Sequence, residues 1–355
     1  MHILINDFIG GVLDRGIPLY VRNLVGGLRE EGFEVSVIRA PSICRVLPRN
    51  LFYMIAVLVE QFALPIAGYL LRADLTLYPY NSVAIADLFT RRARIVVHDL
   101  EQLNRGMSLS KIYYLACYRF LKKYDSPIFT ISELTRQRIG ESELFGRCPV
   151  VMLPNTFYTF ERYLRALKRK PGLTESPKSL LLCTGSTANK DIETLVTGYL
   201  PRVLAAGFQV SILGLHKASD APRLSALQSF IDSGQLHICG RLSDRAVARE
   251  YRSHGIVWVH SLREGFGRCL VEGRLAGAHV ICSDIPEFEG LRDDAVHFYK
   301  DADQFTVTLD RLVHTPAPIS SYNGYPYREL LRSGIERAFR EIAAGRTAPQ
   351  IRQAG

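Results

Sequence analysis

Ten short apolar runs, separated by amphipathic stretches, constrain this chain most. The first five are "HILIND", "EVSVIRA", "DLTLYPY", "ARIVVHDL" and "SPIFTISE"; the second five are "SLLLCTGS", "FQVSILG", "QLHICGR", "GIVWVHSL" and "HVICSD". Runs of this length, rich in β-branched residues and closed by turn-forming residues, read as strands. The stretches between them, such as "PLYVRNLVGGLREEG" and the long segment Leu51 to Leu71, read as helices. Alternation of this kind builds a parallel sheet wrapped by helices. The polar stretch "RALKRKPGLTESPKS" breaks the pattern and reads as a linker. An α/β chain with two doubly wound, Rossmann-like domains facing a cleft is therefore expected, and 355 residues suits two such cores. Ligands of such sheets bind at the carboxyl ends of the strands.

Composition removes several other classes. The seven cysteines are odd in number, scattered and never spaced as C-x-x-C, which favours buried thiols in a reducing compartment over disulfides or zinc. "MHILIND" goes directly into a strand pattern, so no signal peptide is expected and the location is expected to be cytoplasmic. The segment Leu51 to Leu71 is long enough to span a bilayer, but Glu60, Gln61 and Pro65 near its middle would be expensive in hydrocarbon. It is read as a helix buried in, or lying against, a domain. Residues 1–170 hold 23 Lys+Arg and 15 Asp+Glu, a net of +8; the remainder holds 44 − 23 = 21 and 35 − 15 = 20, a net of +1. The N-terminal half thus faces something anionic, nucleic acid or a membrane surface. The basic, aromatic stretch Lys111 to Tyr124 fits base stacking, a membrane interface or a packing surface.

The chemistry concentrates in "REGFGRCLVE", Arg263 to Glu272, which follows a strand pattern and opens a helix near Gly267. A glycine turn at a helix N-terminus presents backbone N–H groups and the positive end of the dipole, which suits phosphate. Glu272 lies about five residues into the helix, roughly 7–8 Å along its axis, the reach from a diphosphate to a ribose. There is no P-loop, no G-x-G-x-x-G and no G-x-S-x-G, so kinases, classical dehydrogenases and α/β-hydrolases lose their support. "DAD" (Asp301 to Asp303) mimics a metal-binding D-x-D but reads as a helix start.

Over "SLREGFGRCLVEGRLAGAHVICSDIPEFEGL" the sequence resembles the retaining glycosyltransferases of family 4, nucleotide-sugar enzymes of the GT-B fold. Their signature sets two glutamates with seven residues between them around "EGFG", as Glu264 and Glu272 stand here. "RGIPLYVRNLVGGLREEGFEVSVI", "VVHDL", "FTISELTR", "VMLPNT", "GSTANKDIETLV" and "GRLSDRAVAREYRSHGI" are similar to further family segments in the same order. The resemblance implies domains at 1–165 and 180–320, a linker at 166–179, and a C-terminal helix at 321–345 returning to the first domain.

It also implies roles. Glu264, His98 and Lys190 are the expected catalytic residues. Gly16, Gly185, Ser186, Lys190, Arg241, Gly265, Phe266, Gly267, Arg268 and Glu272 are the expected donor-binding set. Where the family commonly has an arginine, this chain has Ser186, and Arg268 is the expected substitute cation for the diphosphate. No cofactor and no metal is expected. The implied function is transfer of a hexose or deoxyhexose, with retention, from a nucleoside diphosphate sugar to a glycan acceptor in surface polysaccharide or lipopolysaccharide biosynthesis. A polyprenyl-diphosphate-linked acceptor and an anionic membrane surface, with the enzyme peripheral on the cytoplasmic face, would account for the charge on the first half; nucleic acid is not expected. The alternatives are a GT-B nucleotide-sugar epimerase, a glycan phosphorylase, or a non-catalytic nucleotide-sugar-binding module. The plain structural alternatives are an exposed helix glutamate for Glu272, a helix cap for Glu264, a surface lysine for Lys190, a structural histidine for His98 and a turn glycine for Gly16.

Overall fold

The computed structural model describes residues 1–12, 16–100, 103, 106–167, 178–215, 217–316, 318 and 325–347. Most of the linker expected at 166–179 lies outside the described residues. The chain divides into two compact units, Met1–Tyr158 with Pro326–Gly355, and Thr159–Tyr325. The division falls at the start of helix Tyr158–Ala166, not after it.

Each unit is built on one parallel six-stranded sheet. The first contains β1 (His2–Asn6), β2 (Glu34–Ile38), β3 (Leu75–Tyr78), β4 (Ala93–Val97), β5 (Ile128–Thr130) and β6 (Val150–Met152), in the order β2-β1-β3-β4-β5-β6. The second contains β7 (Ser179–Cys183), β8 (Gln209–Leu213), β9 (Leu236–Gly240), β10 (Ile256–Val259), β11 (His279–Ser283) and β12 (Val296–Tyr299), in the order β12-β11-β10-β7-β8-β9. Both units are Rossmann-like, as the alternation predicts. The central strands β3, β4, β7 and β10 are buried along their length except for one partly exposed residue in β7, which is why they read as continuous apolar runs. Strand order reverses between β1 and β3 in the first sheet and between β7 and β10 in the second. At such a switch point the crossover helices part, opening a crevice beyond the carboxyl ends of the two strands.

Helix Tyr327–Thr347 completes the first unit. Leu331, Ile335, Ala338 and Ile342, at helical spacing, are buried. Gly334 lies over the end of β6, where a Cβ would sit 2.4 Å from the Met152 carbonyl oxygen, so no larger residue fits.

In the first unit the switch point is filled by the protein's own carboxylate. Glu60, from helix Arg49–Leu70, accepts hydrogen bonds from Asn6 Nδ2 (2.8 Å), Ser82 Oγ (3.0 Å) and Tyr113 OH (2.6 Å). Burial pushes its pKa up to about 7, against the opposing pull of those three donors. The folded chain therefore holds a proton that the unfolded chain has already lost between the ordinary carboxylate range and pH 7. Stability from this group is fully present below pH 4.5 and is lost as pH rises through 7. Glu60→Gln does not titrate. In urea unfolding of the first unit, the difference between wild type and this variant should move in the variant's favour by about 2–3 kcal/mol from pH 5 to pH 8. A difference that stays constant with pH would show that Glu60 titrates normally.

Candidate functional site

The switch point of the second unit is built differently. After β7 the chain passes Thr184 and Gly185 and makes a short 3-10 turn, Ala188–Lys190. Asp191 then takes a left-handed conformation (φ 42°, ψ 50°), which reverses the chain into the following helical residues. After β10, Ser261 and Leu262 run alongside this turn. The Asn189 carbonyl accepts from Leu262 N–H (2.8 Å) and Ser261 Oγ (2.9 Å), while Asn189 Nδ2 donates to the Arg263 carbonyl at 3.0 Å. Those bonds clamp the two loops together, and the result is a direct ion pair between Lys190 Nζ and the Glu264 carboxylate. The two side chains are mostly buried, at 16% and 17% exposure. Burial pulls the Lys190 pKa down, but attraction to Glu264 more than offsets it and the net shift is upward. Lys190 is therefore a cation at neutral pH.

Gly267 caps the helix Arg268–Leu275 in the left-handed region (φ 93°). A Cβ there would stand 2.5 Å from the Phe288 ring, so glycine is required twice over, by conformation and by space. Glu264 does not cap this helix; no side-chain cap is made. Glu272 is not a surface residue. It is 9% exposed, pairs with Arg268 NH2 at 3.0 Å and hydrogen-bonds Tyr251, whose hydroxyl also receives the Cys183 thiol at 3.2 Å. Burial raises its pKa, with Arg268 and Tyr251 pulling it back.

The structure thus brings Lys190 to Glu264 and Arg268 to Glu272, all in the second unit. Gly185 lies beside them, in contact range of the Lys190 side chain, and Ser186 is exposed next to it. Gly265 has open space over its Cα. The Phe266 ring is buried against Tyr325 at 4.8 Å between ring centres, so a ligand contact from this position falls to its backbone. Arg241 is exposed between β9 and the helix cap Ser243. His98 and Gly16 belong to the first unit. His98, just past β4, is buried, with its Nε2 3.0 Å from the Pro79 carbonyl oxygen and its ring edge-on to Tyr20 at 4.7 Å. Burial pushes its pKa down to about 4, so the imidazole is neutral at pH 7. Gly16 caps helix Ile17–Glu30 with φ 70°, and nothing lies within 4 Å of where a Cβ would stand.

Sequence reading missed Asn189, Ser261 and Tyr251. Asn189 sits inside the quoted "GSTANK" stretch, but its role depends on a partner loop more than seventy residues away. Asp301 in "DAD" caps helix Ala302–Val313, its Oδ1 accepting from Asp303 and Gln304 N–H. Among the described residues no three His, Cys, Asp or Glu side chains converge on a point that could hold a metal ion.

Residues 178–315 match the family described as glycosyl transferases group 1. Solved structures with the same fold include sucrose-phosphate synthase from Thermosynechococcus elongatus, 17% identical over 98% of each chain with a TM-score of 0.63. HepE of Anabaena, in complex with UDP and glucose, is 14% identical over 98% of this chain and 99% of its own, with a TM-score of 0.58. UDP-GlcNAc 2-epimerase from Methanocaldococcus jannaschii is 12% identical over 96% and 99%, with a TM-score of 0.59. A comparison with curated proteins finds no match. The fold is that of the GT-B class, two Rossmann-like domains in one chain.

Proposed function

We propose that this protein is a retaining glycosyltransferase that moves a hexose or deoxyhexose from a nucleoside diphosphate sugar to a glycan acceptor. The observation that carries the reading is the Lys190–Glu264 pair at the switch point of the second sheet, beside the N-terminus of helix Arg268–Leu275. A diphosphate suits that helix end and the Lys190 point charge, with Arg268 as a second cation. Glu264 is then positioned to stabilise positive charge growing on the anomeric carbon. Glu272 accepts from the ribose hydroxyls. The bond from the anomeric carbon to the diphosphate oxygen breaks, a bond to the acceptor oxygen forms on the same face, and the acceptor proton passes to the leaving phosphate. Positioning and charge stabilisation supply the catalysis. His98, neutral, contributes hydrogen bonding and no charge. In this reading the acceptor glycan is carried on a polyprenyl diphosphate at an anionic membrane surface during surface polysaccharide synthesis, which accounts for the net +8 on residues 1–170.

The match at 178–315 and the UDP complex of HepE support a nucleotide-sugar donor. The likeness to a UDP-GlcNAc 2-epimerase supports epimerisation as the second reading. A thermal-shift panel of UDP-, GDP- and ADP-sugars, followed by product analysis, separates the cases. At 100 times its Kd a true donor should stabilise by about 2.7 kcal/mol. A transferase then releases nucleoside diphosphate in step with acceptor glycosylation; an epimerase returns an altered nucleotide sugar without acceptor. A panel with no stabilisation by any nucleotide sugar would remove the donor site.

A further inference from the structure

Helix Arg49–Leu70 is amphipathic the wrong way round for a protein in water. Its 22 residues are long and apolar enough to cross a membrane, yet only 28% of its most apolar window is buried. Phe52, Ala56, Glu60, Leu64 and Gly68 form the inner row. Gly68 brings the helix close to β3, where a Cβ would meet Thr76 Oγ1 at 3.3 Å. The two polar groups at its middle point inward. Glu60 is buried as described above, and Gln61 bonds the Val83 carbonyl (3.0 Å) and the Ile85 N–H (3.1 Å). The outer row is Met54, Leu58, Phe62, Ile66, Tyr69 and Leu70, each 55–78% exposed.

The inner row and, Tyr69 apart, the outer row repeat every four residues, which an ideal α-helix would twist by about 40° per step. A π-helical turn at Val59–Ala63 takes up that drift and keeps each row on one face. An exposed row of six large apolar side chains marks an interaction surface.

We propose that this outer face docks the first unit onto an anionic phospholipid bilayer, with the apolar row immersed in one leaflet and the helix lying in the plane of the interface. The partner is the one on which the lipid-borne acceptor above depends. Charge selects it. From Arg39 to Ala73 the only acid is the buried Glu60; Arg39 is taken up by the buried Asp7 carboxylate, which leaves Arg45, Arg49 and Arg72 as the cations of this face. Ile43 and Val46, near Arg45 in the turn just before this helix, are exposed as well. A second copy of this chain is disfavoured, because a two-fold interface along this helix would bring the arginines at its two ends, Arg45 and Arg49 at one and Arg72 at the other, against arginines of the other copy whichever way the helices run. A spanning helix is disfavoured too, since it would pull Glu60 and Gln61 from five hydrogen-bonding partners into hydrocarbon. An interfacial helix keeps its inner row on the protein and its outer row in lipid.

The test is vesicle sedimentation with phosphatidylcholine alone and with phosphatidylglycerol added, at low and high salt. Wild type should partition to the anionic vesicles, more weakly but measurably at high salt. Leu58→Gln with Phe62→Gln, which leaves charge and the inner row untouched, should lower partition more than tenfold with an unchanged melting temperature. The single tryptophan, Trp258, is fully buried in the second unit, so Phe62→Trp adds a clean reporter. Its emission should shift to the blue and be quenched by doxyl-labelled lipid. Partition that ignores the glutamine pair, or a new indole that stays in water, would overturn the proposal. So would self-association that the glutamine pair abolishes in the absence of any vesicle binding. Nucleoside diphosphate release with a water-soluble acceptor, followed in the same proteins, is independent of this face; its absence strikes the donor reading alone.

Discussion

Glu264→Gln should lower kcat by about 10²–10³-fold while donor affinity changes less than threefold. The substitution keeps shape and hydrogen bonding toward Lys190 but removes the charge. Groups that stabilise transition-state charge in a water-poor site account for losses of about this size when removed singly. The side chains of the pair are mostly buried, so little solvent screening weakens the effect. Steady-state kinetics with a saturating acceptor decide it. Equal loss in kcat and kcat/KM places the carboxylate in the transition state, whereas a raised KM with kcat intact would make it a binding residue and end the catalytic assignment. Lys190→Met, measured alongside, should lose affinity for the diphosphate group, and the double variant should lose less than the two singles added together, because they act on one another.

Glu272→Ala should weaken donor binding by about 100-fold, from two charge-assisted hydrogen bonds of roughly 1–3 kcal/mol each. It also leaves Arg268 without its 3.0 Å partner and Tyr251 with one fewer, so some stability goes with it. The two effects are separable. Glu272→Gln keeps a neutral hydrogen bond to both neighbours and should recover most of the melting temperature while recovering only part of the affinity. Calorimetric titration with nucleoside diphosphate reads the second quantity. Affinity that survives in both variants would reduce Glu272 to a structural residue of helix Arg268–Leu275.

What sequence can reach here follows from distance along the chain. The sheets were legible because buried parallel strands need continuous apolar runs, and Leu180 to Cys183 or Ile256 to Val259 state that need locally. The start of helix Arg268–Leu275 was legible because Gly267 alone tolerates φ 93° beside Phe288. Val150–Met152 and Val296–Tyr299 were not among the ten runs; both are short and only partly buried, whereas the equally short Ile128–Thr130 and Ile256–Val259 are buried throughout and so read as apolar runs. In Arg49–Leu70 the cost of spanning was visible in Glu60, Gln61 and Pro65. Which face turns inward was not, since that is decided by Asn6, Ser82 and Tyr113, 54, 22 and 53 residues away. Glu264 and Glu272 were singled out as candidates by their spacing, but the pairing of Glu264 with Lys190 spans 74 residues and belongs to the fold.

The helix Tyr327–Thr347 fixes an order of manufacture. The second unit is one unbroken stretch, Thr159–Tyr325, inserted into the first, which is Met1–Tyr158 and Pro326–Gly355. At ribosomal rates of about 5–20 residues per second, the segment that covers β6 emerges roughly 10–40 s after β6 itself. Through that interval β6, the outermost strand of its sheet, awaits the Leu331, Ile335, Ala338 and Ile342 side of its missing helix. An uncovered edge strand is a template for pairing with other chains. The unit made first is thus finished last, and a chain stopped before Tyr327 would hold a complete second sheet attached to a first one with its closing piece gone.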